Sequence, residues 1–257
     1  MSVLDSIIEG VREDLARRRK PLSQIHDQMS QAPVPLDAHG ALLGEQMKVI
    51  AEVKRSSPSK GELSSISDPA ALAEQYQSAG ASVISVLTEE RRFKGSLADL
   101  AAVRSRVTIP ILRKDFMVDE YQFFEARAYG ADVILLIVAA LSKSQLKDFY
   151  DVATELGMSS LIEVHTADEL ERALEISPKI VGVNSRNLKT LEVDPSAFAD
   201  LIPRIPSSLI RVAESGISSR ADVEFAQNAG ANAILVGEAL VTSGDPTLAM
   251  RSLLGQG

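Results

Sequence analysis

Glu52 and Lys54 stand two residues apart at the end of an apolar run, Val49-Ile50-Ala51-Glu52-Val53-Lys54. Alternate residues of a strand share a face, so the two charges point the same way. If that face is a protein interior, removing a charge from water costs several kcal/mol per ion, by rough estimate, unless it is paired and hydrogen-bonded, and sequences seldom place charges there without a use; the alternative is an edge strand whose polar face is wet. The same two-residue phase recurs. Leu112, Lys114 and Phe116 share a face in Ile111-Leu112-Arg113-Lys114-Asp115-Phe116, Glu163 shares one with Leu161, Asn184 follows Gly182-Val183, and Glu214 follows Val212-Ala213. Lysines and carboxylates gathered this way are proton donors and acceptors, and the ammonium groups can also hold an anion. Arg113 and Asp115 fall on the opposite phase and are expected to pair with surrounding helices.

These residues lie at the ends of short apolar runs that alternate with helical stretches. The runs span 49–53, 83–87, 109–112, 133–138, 161–164, 180–183, 209–213 and 233–236, with amphipathic segments at 69–78, 120–129, 145–156, 167–174 and 219–228. Ala79-Gly80-Ala81, Tyr129-Gly130-Ala131 and Ala229-Gly230-Ala231 punctuate them: a glycine ends a helix and a small residue leads into a strand. Asp68 before Pro69, Ser142 before Gln145 and Ser218 before Asp222 are expected helix caps. Continuous apolar strands, each followed by a helix, predict an α/β fold, the (β/α)8 or TIM barrel. The rival open doubly wound sheet usually carries a GxGxxG loop after its first strand, whereas here the first turn is Ser-Ser-Pro-Ser-Lys-Gly. In a barrel the C-terminal strand ends surround the catalytic mouth, so Glu52, Lys54, Lys114, Glu163, Asn184 and Glu214 are expected to converge there.

The last two loops carry a second signal. Ser215-Gly216-Ile217 and Val236-Gly237-Glu238-Ala239 follow strands seven and eight, where glycines let backbone N–H groups approach a phosphate. Glu238 fits such a site only with its side chain turned outward. Residues 1–257 are expected to form one barrel domain, with 1–47 as an N-terminal helical extension. In that extension Val3, Leu4, Ile7, Ile8, Val11 and Leu15 recur at helical spacing, which is not the pattern of a signal peptide. Arg17-Arg18-Arg19-Lys20 forms a cationic last turn before Pro21.

Composition narrows the function classes. With 45% hydrophobic and 24% charged residues and a mean hydropathy of +0.05, the chain has the make-up of an ordinary globular protein. A net charge of −8 and a pI near 5.0 argue against nucleic acid or anionic membrane as partner. The absence of cysteine removes disulfide and thiolate chemistry and fits a cytoplasmic setting. His26, His39 and His165 stand at no metal-ligand spacing, so no metal site is expected. No apolar run is long enough to span a bilayer.

Six segments together carry a resemblance: Glu52-Val53-Lys54-Arg55-Ser56-Ser57-Pro58-Ser59, Phe93-Lys94-Gly95-Ser96, Arg113-Lys114-Asp115-Phe116, Leu161-Ile162-Glu163-Val164, Val183-Asn184-Ser185-Arg186-Asn187-Leu188 and Ala213-Glu214-Ser215-Gly216-Ile217. In this order they resemble the indole-3-glycerol phosphate synthase family of tryptophan biosynthesis, over nearly the whole chain and including the helical extension. The resemblance implies closure of 1-(2-carboxyphenylamino)-1-deoxyribulose 5-phosphate to indole-3-glycerol phosphate, CO2 and water. It implies Lys114 as general acid and Glu163 as general base, with Lys54 holding the carboxylate or supplying the second proton. Glu52 would orient Lys54, while Asn184 and Glu214 would position substrate hydroxyls and the lysines. Ser57 would meet the carboxylate, and Phe93, Phe116 and Leu135 would wall the anthranilate ring. Arg186, Ser215, Gly216, Gly237 and Glu238 would form the phosphate end, position 238 being serine in some family members. The implied partner is a small phosphorylated substrate acted on by a monomer or weak homo-oligomer, with neither metal nor organic cofactor, and no fused second enzyme domain is expected. A related ribulose-phosphate barrel such as phosphoribosylanthranilate isomerase would not need lysines on strands one and three. A non-catalytic phosphate-binding scaffold would bind without turnover, and no expected catalytic position here is disrupted.

Overall fold

The structure, a computed structural model, describes residues 2–188 and 190–256. Its strands are β1 (Lys48–Val53), β2 (Val83–Leu87), β3 (Ile111–Lys114), β4 (Val133–Ile137), β5 (Ser159–Val164), β6 (Ile180–Asn184), β7 (Ile210–Glu214) and β8 (Ala233–Val236). All pair in parallel with their chain neighbours, and β1 also pairs with β8 through Lys48↔Ala233 to Ala51↔Val236, which closes the expected barrel. The helices are α1 (Val3–Arg18), α2 (Leu22–Gln31), α3 (Ala38–Ala41), α4 (Pro69–Ser78), α5 (Leu97–Arg104), α6 (Tyr121–Ala128), α7 (Lys143–Glu155), α8 (Ala167–Leu174), α9 (Ser196–Leu201), α10 (Arg220–Asn228), α11 (Glu238–Val241) and α12 (Pro246–Leu254). Among the described residues no helix is long and apolar enough to cross a membrane.

The strand period divides the apolar residues into two cores. Ile50, Val83, Leu112, Val133, Leu135, Leu161, Ile180, Val212 and Leu235 point inward and fill the barrel, whereas Val49, Ala51, Ile84, Val86, Ile134, Leu136, Ile162, Val181 and Ile234 point outward against the helices. Every strand is thus buried on both faces, which explains its near-continuous apolar character. Several strands end later than the apolar runs predict. β3 begins at Ile111 rather than 109, because Pro110 has no N–H to give the ladder, and the Ile111 N–H instead donates to Asp132 Oδ2 at 2.7 Å. The later register carries β3 to Lys114, which pairs with Leu87. Likewise β6 and β7 extend to Asn184 and Glu214, which face each other in the ladder. Lys114, Asn184 and Glu214 therefore stand on rigid strands rather than on loops.

Caps follow the expected chemistry with one shift. The Asp68 and Ser142 side chains accept from Ala71 N–H and Gln145 N–H as predicted, but α10 is capped by Ser219, not Ser218, and both hydroxyls donate to Asp222. Helix α5 has no counterpart among the expected amphipathic segments. It is short, starts at the Ser96 cap and buries Leu100 and Val103.

The N-terminal extension packs on both ends of the barrel. Leu4, Ile7 and Val11 of α1 join the interior cluster, and so do Ala38 and Leu42. The Leu36 N–H donates to Asp132, just before β4, so the segment around α3 lies under the N-terminal strand ends. The basic run that closes α1 does more than end a helix. Arg18 donates to both oxygens of Glu125 on α6 at 3.0 Å, and Glu125 also pairs with Arg113 at 3.0 Å. Arg113, fully buried, reaches Asp115 at 2.9 Å and the Thr88 hydroxyl at 3.1 Å. Arg113 thus pairs with a helix as expected, while Asp115 is held by Arg113 and Thr88. Removing one member of a buried ionic network leaves an uncompensated charge. Glu125→Ala is expected to destabilise the fold by about 3–5 kcal/mol in denaturant unfolding, and Arg18→Ala, at the rim, by clearly less. Equal, small effects of both would show the network to be idle.

Candidate active site

One cleft at the C-terminal mouth of the barrel is lined by every expected site residue: Glu52, Lys54, Ser57, Phe93, Lys114, Phe116, Leu135, Glu163, Asn184, Arg186, Glu214, Ser215, Gly216, Gly237 and Glu238. Its floor is a layer drawn from alternate strands. Glu52 comes from β1, Lys114 from β3, Glu163 from β5 and Glu214 from β7, as the side-chain layering of such barrels dictates. The intervening strands supply small residues where the charges need room. A Cβ on Gly182 of β6 would overlap Glu214 Oε1, and one on Gly237 would lie 2.7 Å from Glu52 Oε1. Gly237 therefore has a packing reason to be glycine as well as the expected one of anion approach.

The charges form two linked sets. Lys54 Nζ lies 2.9 Å from Glu52 Oε1, and Glu52 Oε2 accepts from the buried Ser85 hydroxyl at 3.4 Å. Lys114 Nζ lies 3.3 Å from Glu163 Oε2 and 3.4 Å from Glu214 Oε2. These separations are longer than the ~2.7–2.9 Å of tight charge-assisted bonds, and no hydrogen bond of good geometry reaches either Glu214 oxygen among the described residues, although Lys114 and Glu163 stand beside them. Buried polar atoms of native proteins rarely stay unpartnered, so this end of the cleft is built to receive polar groups.

Burial and pairing set the protonation states. Burial works against the Lys114 charge, but Glu163, Glu214 and Glu52 outweigh it and raise its pKa above the ordinary lysine value. Glu52 is burdened by burial yet held below the ordinary carboxylate range by Lys54 and Lys114. Glu163 is likewise held down, against burial, by Lys114 and His165. Glu214 goes the other way: burial pushes it up to about 8, with the neighbouring Glu163 charge adding to the effect and Lys114 opposing it. Burial and the neighbouring Glu163 charge thus favour a proton on Glu214, while Lys114 and His165 favour the ionised form of Glu163.

Loops complete the walls. Phe93 and Phe116 lie with ring centroids 6.2 Å apart. The Phe93 loop is folded around Glu89, which accepts from the N–H groups of Arg91, Arg92 and Phe93 at 3.1, 2.7 and 2.9 Å. After β1, Ser56–Ser57 pairs antiparallel with Gly61–Glu62, and Arg55 tethers this loop to Asp99 of α5 at 2.5 and 3.1 Å. Glu238 is ion-paired with Lys60 of the same loop, so its charge is compensated. Ser215 and Gly216 are both left-handed, at φ 67° and 71°, an arrangement that costs a non-glycine residue about 1–2 kcal/mol. Ser185 holds the turn by donating to Ser215 O at 3.1 Å. Arg186 lines the cleft, but its guanidinium donates to Leu191 O at 2.9 Å and braces its own loop.

A family model described as indole-3-glycerol phosphate synthase matches residues 4–253. The chain belongs to the indole-3-glycerol phosphate synthase family. The indole-3-glycerol phosphate synthase of Rhodococcus jostii (strain RHA1) is 57% identical over 259 residues, covering 100% of this chain and 96% of the relative. That of Streptomyces griseus subsp. griseus is 56% identical with the same coverage. A solved 3-hexulose-6-phosphate synthase shares the fold, with a TM-score of 0.65 at 17% identity over 82% of this chain and 99% of that one.

Three further residues of this indole-3-glycerol phosphate synthase family member line the cleft or touch its charged residues. Ile7 of α1 lines the cleft, but at helical spacing it is indistinguishable from its packing neighbours. Ser85 was legible as the lone polar residue in Val83-Ile84-Ser85-Val86-Leu87. His165 stands at no metal-ligand spacing but follows Glu163 on the same strand phase.

Glu214 offers a test that needs no substrate. Its folded-state pKa lies above its ordinary 4.5, so the stability its proton provides is complete below the ordinary value and is lost as pH rises through about 8. Glu214→Gln cannot ionise and should melt above the parent by a wide margin at about pH 9 and a narrower one at about pH 6. Calorimetric margins that are equal at the two values would place the titration elsewhere.

Proposed function

We propose that this cleft closes the indole ring, converting 1-(2-carboxyphenylamino)-1-deoxyribulose 5-phosphate to indole-3-glycerol phosphate, CO2 and water. The protein is a decarboxylating carbon–carbon lyase of tryptophan biosynthesis. The observation that carries the assignment of roles is the Lys114 ammonium set between Glu163 and Glu214 on the cleft floor, with the Lys54–Glu52 pair beside it.

In the first step the ring carbon bearing the carboxylate forms a bond to the ketone carbon. The carbonyl π electrons move to oxygen, which takes a proton from Lys114, so a fixed cation meets the charge where it develops. Breakage of the carboxylate carbon's bond to the ring then returns an electron pair to the ring and releases CO2. Lys54, oriented by Glu52, faces that carboxylate before it leaves, and Ser57 in the loop after β1 is placed to join it. In the last step the new hydroxyl departs as water with a proton from a lysine, while Glu163 removes a proton from the intermediate. Asn184 and protonated Glu214 bind substrate hydroxyls, which supplies the well-aligned partners that the Glu214 oxygens lack. Phe93, Phe116 and Leu135 hold the aromatic ring. The glycine turns at Ser215-Gly216 and Gly237, with Arg186 bracing the neighbouring loop, take the phosphate through backbone N–H groups, and the Lys60 pair keeps the Glu238 charge off it.

All the expected site residues come from one chain, which supports a monomer or weak homo-oligomer as the working form. A chain without cysteine suits the cytoplasm.

Incubating the purified protein with the carboxyphenylamino ester and following indole fluorescence tests the reaction. Lys114→Met should keep the ester bound while kcat falls by at least about a hundredfold. Glu163→Gln should lower kcat more than it raises KM, since its charge acts on a proton in flight. Unchanged turnover in Lys114→Met removes that residue from the chemistry, and a pure KM effect in Glu163→Gln removes the base.

A further inference from the structure

At the end of β5 the chain runs Glu163-Val164-His165, so the imidazole follows the base on the same strand phase. The His165 side chain is only 9% exposed and stands between two carboxylates, with Nδ1 3.2 Å from Glu169 Oε2 and Nε2 3.4 Å from Glu163 Oε1. Glu169 is itself fixed on the first turn of α8. It accepts the His165 N–H at 2.7 Å, and its own N–H donates to Thr166 Oγ1 at 3.2 Å. His165 Nε2 and Glu163 Oε1 are both buried and neither makes a hydrogen bond of good geometry among the described residues, although Asn184 and Glu214 also stand beside the Glu163 carboxylate.

Helix capping does not account for the ring. The bond from residue 165 to Glu169 that shapes the start of α8 uses the backbone N–H, which any residue but proline would provide. Nor is this a metal centre, for no group of three or more His, Cys, Asp or Glu among the described residues is arranged to hold an ion. What the imidazole adds is a second anchor for Glu163, opposite Lys114.

We propose that His165 is a positioning residue for the base: backed by Glu169, its ring holds Glu163 Oε1 so that Oε2 alone faces Lys114 and the substrate. The inference rests on Glu163 being the base of the proposed reaction. The charged groups facing the pair are Lys114 from β3, Glu214 from β7 and Glu169 from α8. Burial disfavours the imidazolium, but Glu169 and Glu163 outweigh it and raise the His165 pKa, while His165 and Lys114 together keep Glu163 ionised. Coupling of this kind is reciprocal.

The chain has only three histidines, so imidazole NMR resolves the question in the substrate-free protein, with His26→Gln and His39→Gln variants assigning the signals. His165 should titrate above the usual imidazole value of about 6.5, and Glu163→Gln should lower its midpoint by about one unit or more. In kinetics, His165→Gln keeps a donor but not the charge, and should move the acid limb of kcat/KM upward by about one unit with KM little changed. His165→Leu, which removes both, should lower kcat by about tenfold to a hundredfold. A midpoint indifferent to Glu163→Gln overturns the coupling, and a wild-type pH profile and kcat in His165→Gln overturn the positioning role even if the coupling stands. Should His165→Leu fail to fold, the Gln variant and the titration still decide. If the parent protein forms no indole product, the proposed reaction fails whatever His165 does; if it turns over and the His165 signatures are absent, this inference alone falls.

Discussion

A single ammonium group, Lys114, sits among Glu163, Glu214 and Glu52 in a largely dry barrel mouth, and the surrounding structure serves to make that tolerable. A buried lysine without carboxylates would shed its proton, and buried carboxylates without a lysine would gain one. Together they remain charged up to the point where the anions crowd each other, and there Glu214 keeps a proton. The arrangement demands rigid supports, since at such separations a small displacement changes which group is ionised. Parallel strands locked on both sides provide them, and the layering of alternate strands brings β1, β3, β5 and β7 to one level without any loop having to reach inward. Two glycines, Gly182 on β6 and Gly237 just after β8, are the steric counterpart of the same requirement, because a methyl group at either would press on a carboxylate.

The sequence around Lys114 shows how one strand serves two environments. Arg113, Lys114 and Asp115 alternate outward, inward and outward, so the catalytic candidate is flanked by a buried pair that belongs to the helix layer. That pair continues through Glu125 to Arg18, linking the N-terminal helix to the strand that carries Lys114. The α1 helix also places Ile7 against the cleft, and Asp14 holds Arg91 beside the Phe93 loop at 2.6 Å. The extension is thus continuous with the site in both its apolar and its ionic contacts.

Most of this was legible because a period of two is hard to disguise. Once the apolar runs are taken as strands, phase alone sends Glu52, Lys114, Glu163 and Glu214 inward and Arg113 outward. What phase does not provide is termination. Apolar character fades at a strand end just where function begins, so the runs at 109–112, 180–183 and 209–213 stop short of the polar residues that the ladder includes. Pairwise contacts were also out of reach. Gly237 looked like an anion-approach glycine, and only three-dimensional packing reveals Glu52 beneath it. Arg186 lines the cleft as expected, and only the structure shows that it also braces its own loop through Leu191 O. His165 was hidden because an isolated histidine has no spacing to declare a partner.

The looseness of the cleft floor follows from the same electrostatics. Closing Lys114 tightly onto either Glu163 or Glu214 would satisfy that pair and leave the other carboxylate alone in a low-dielectric site. Holding both at slightly long range keeps neither fully satisfied. Such a site gives up folding stability for readiness, since hydroxyls or a developing alkoxide can insert without first breaking a strong ion pair. The charges of Glu52, Lys54, Lys114 and Glu163 nearly cancel, so a substrate with two anionic groups must find its binding energy elsewhere. In the proposed reaction the glycine turns beyond β7 and β8 would offer N–H dipoles rather than full charges for that purpose, leaving the lysines for the atoms that react.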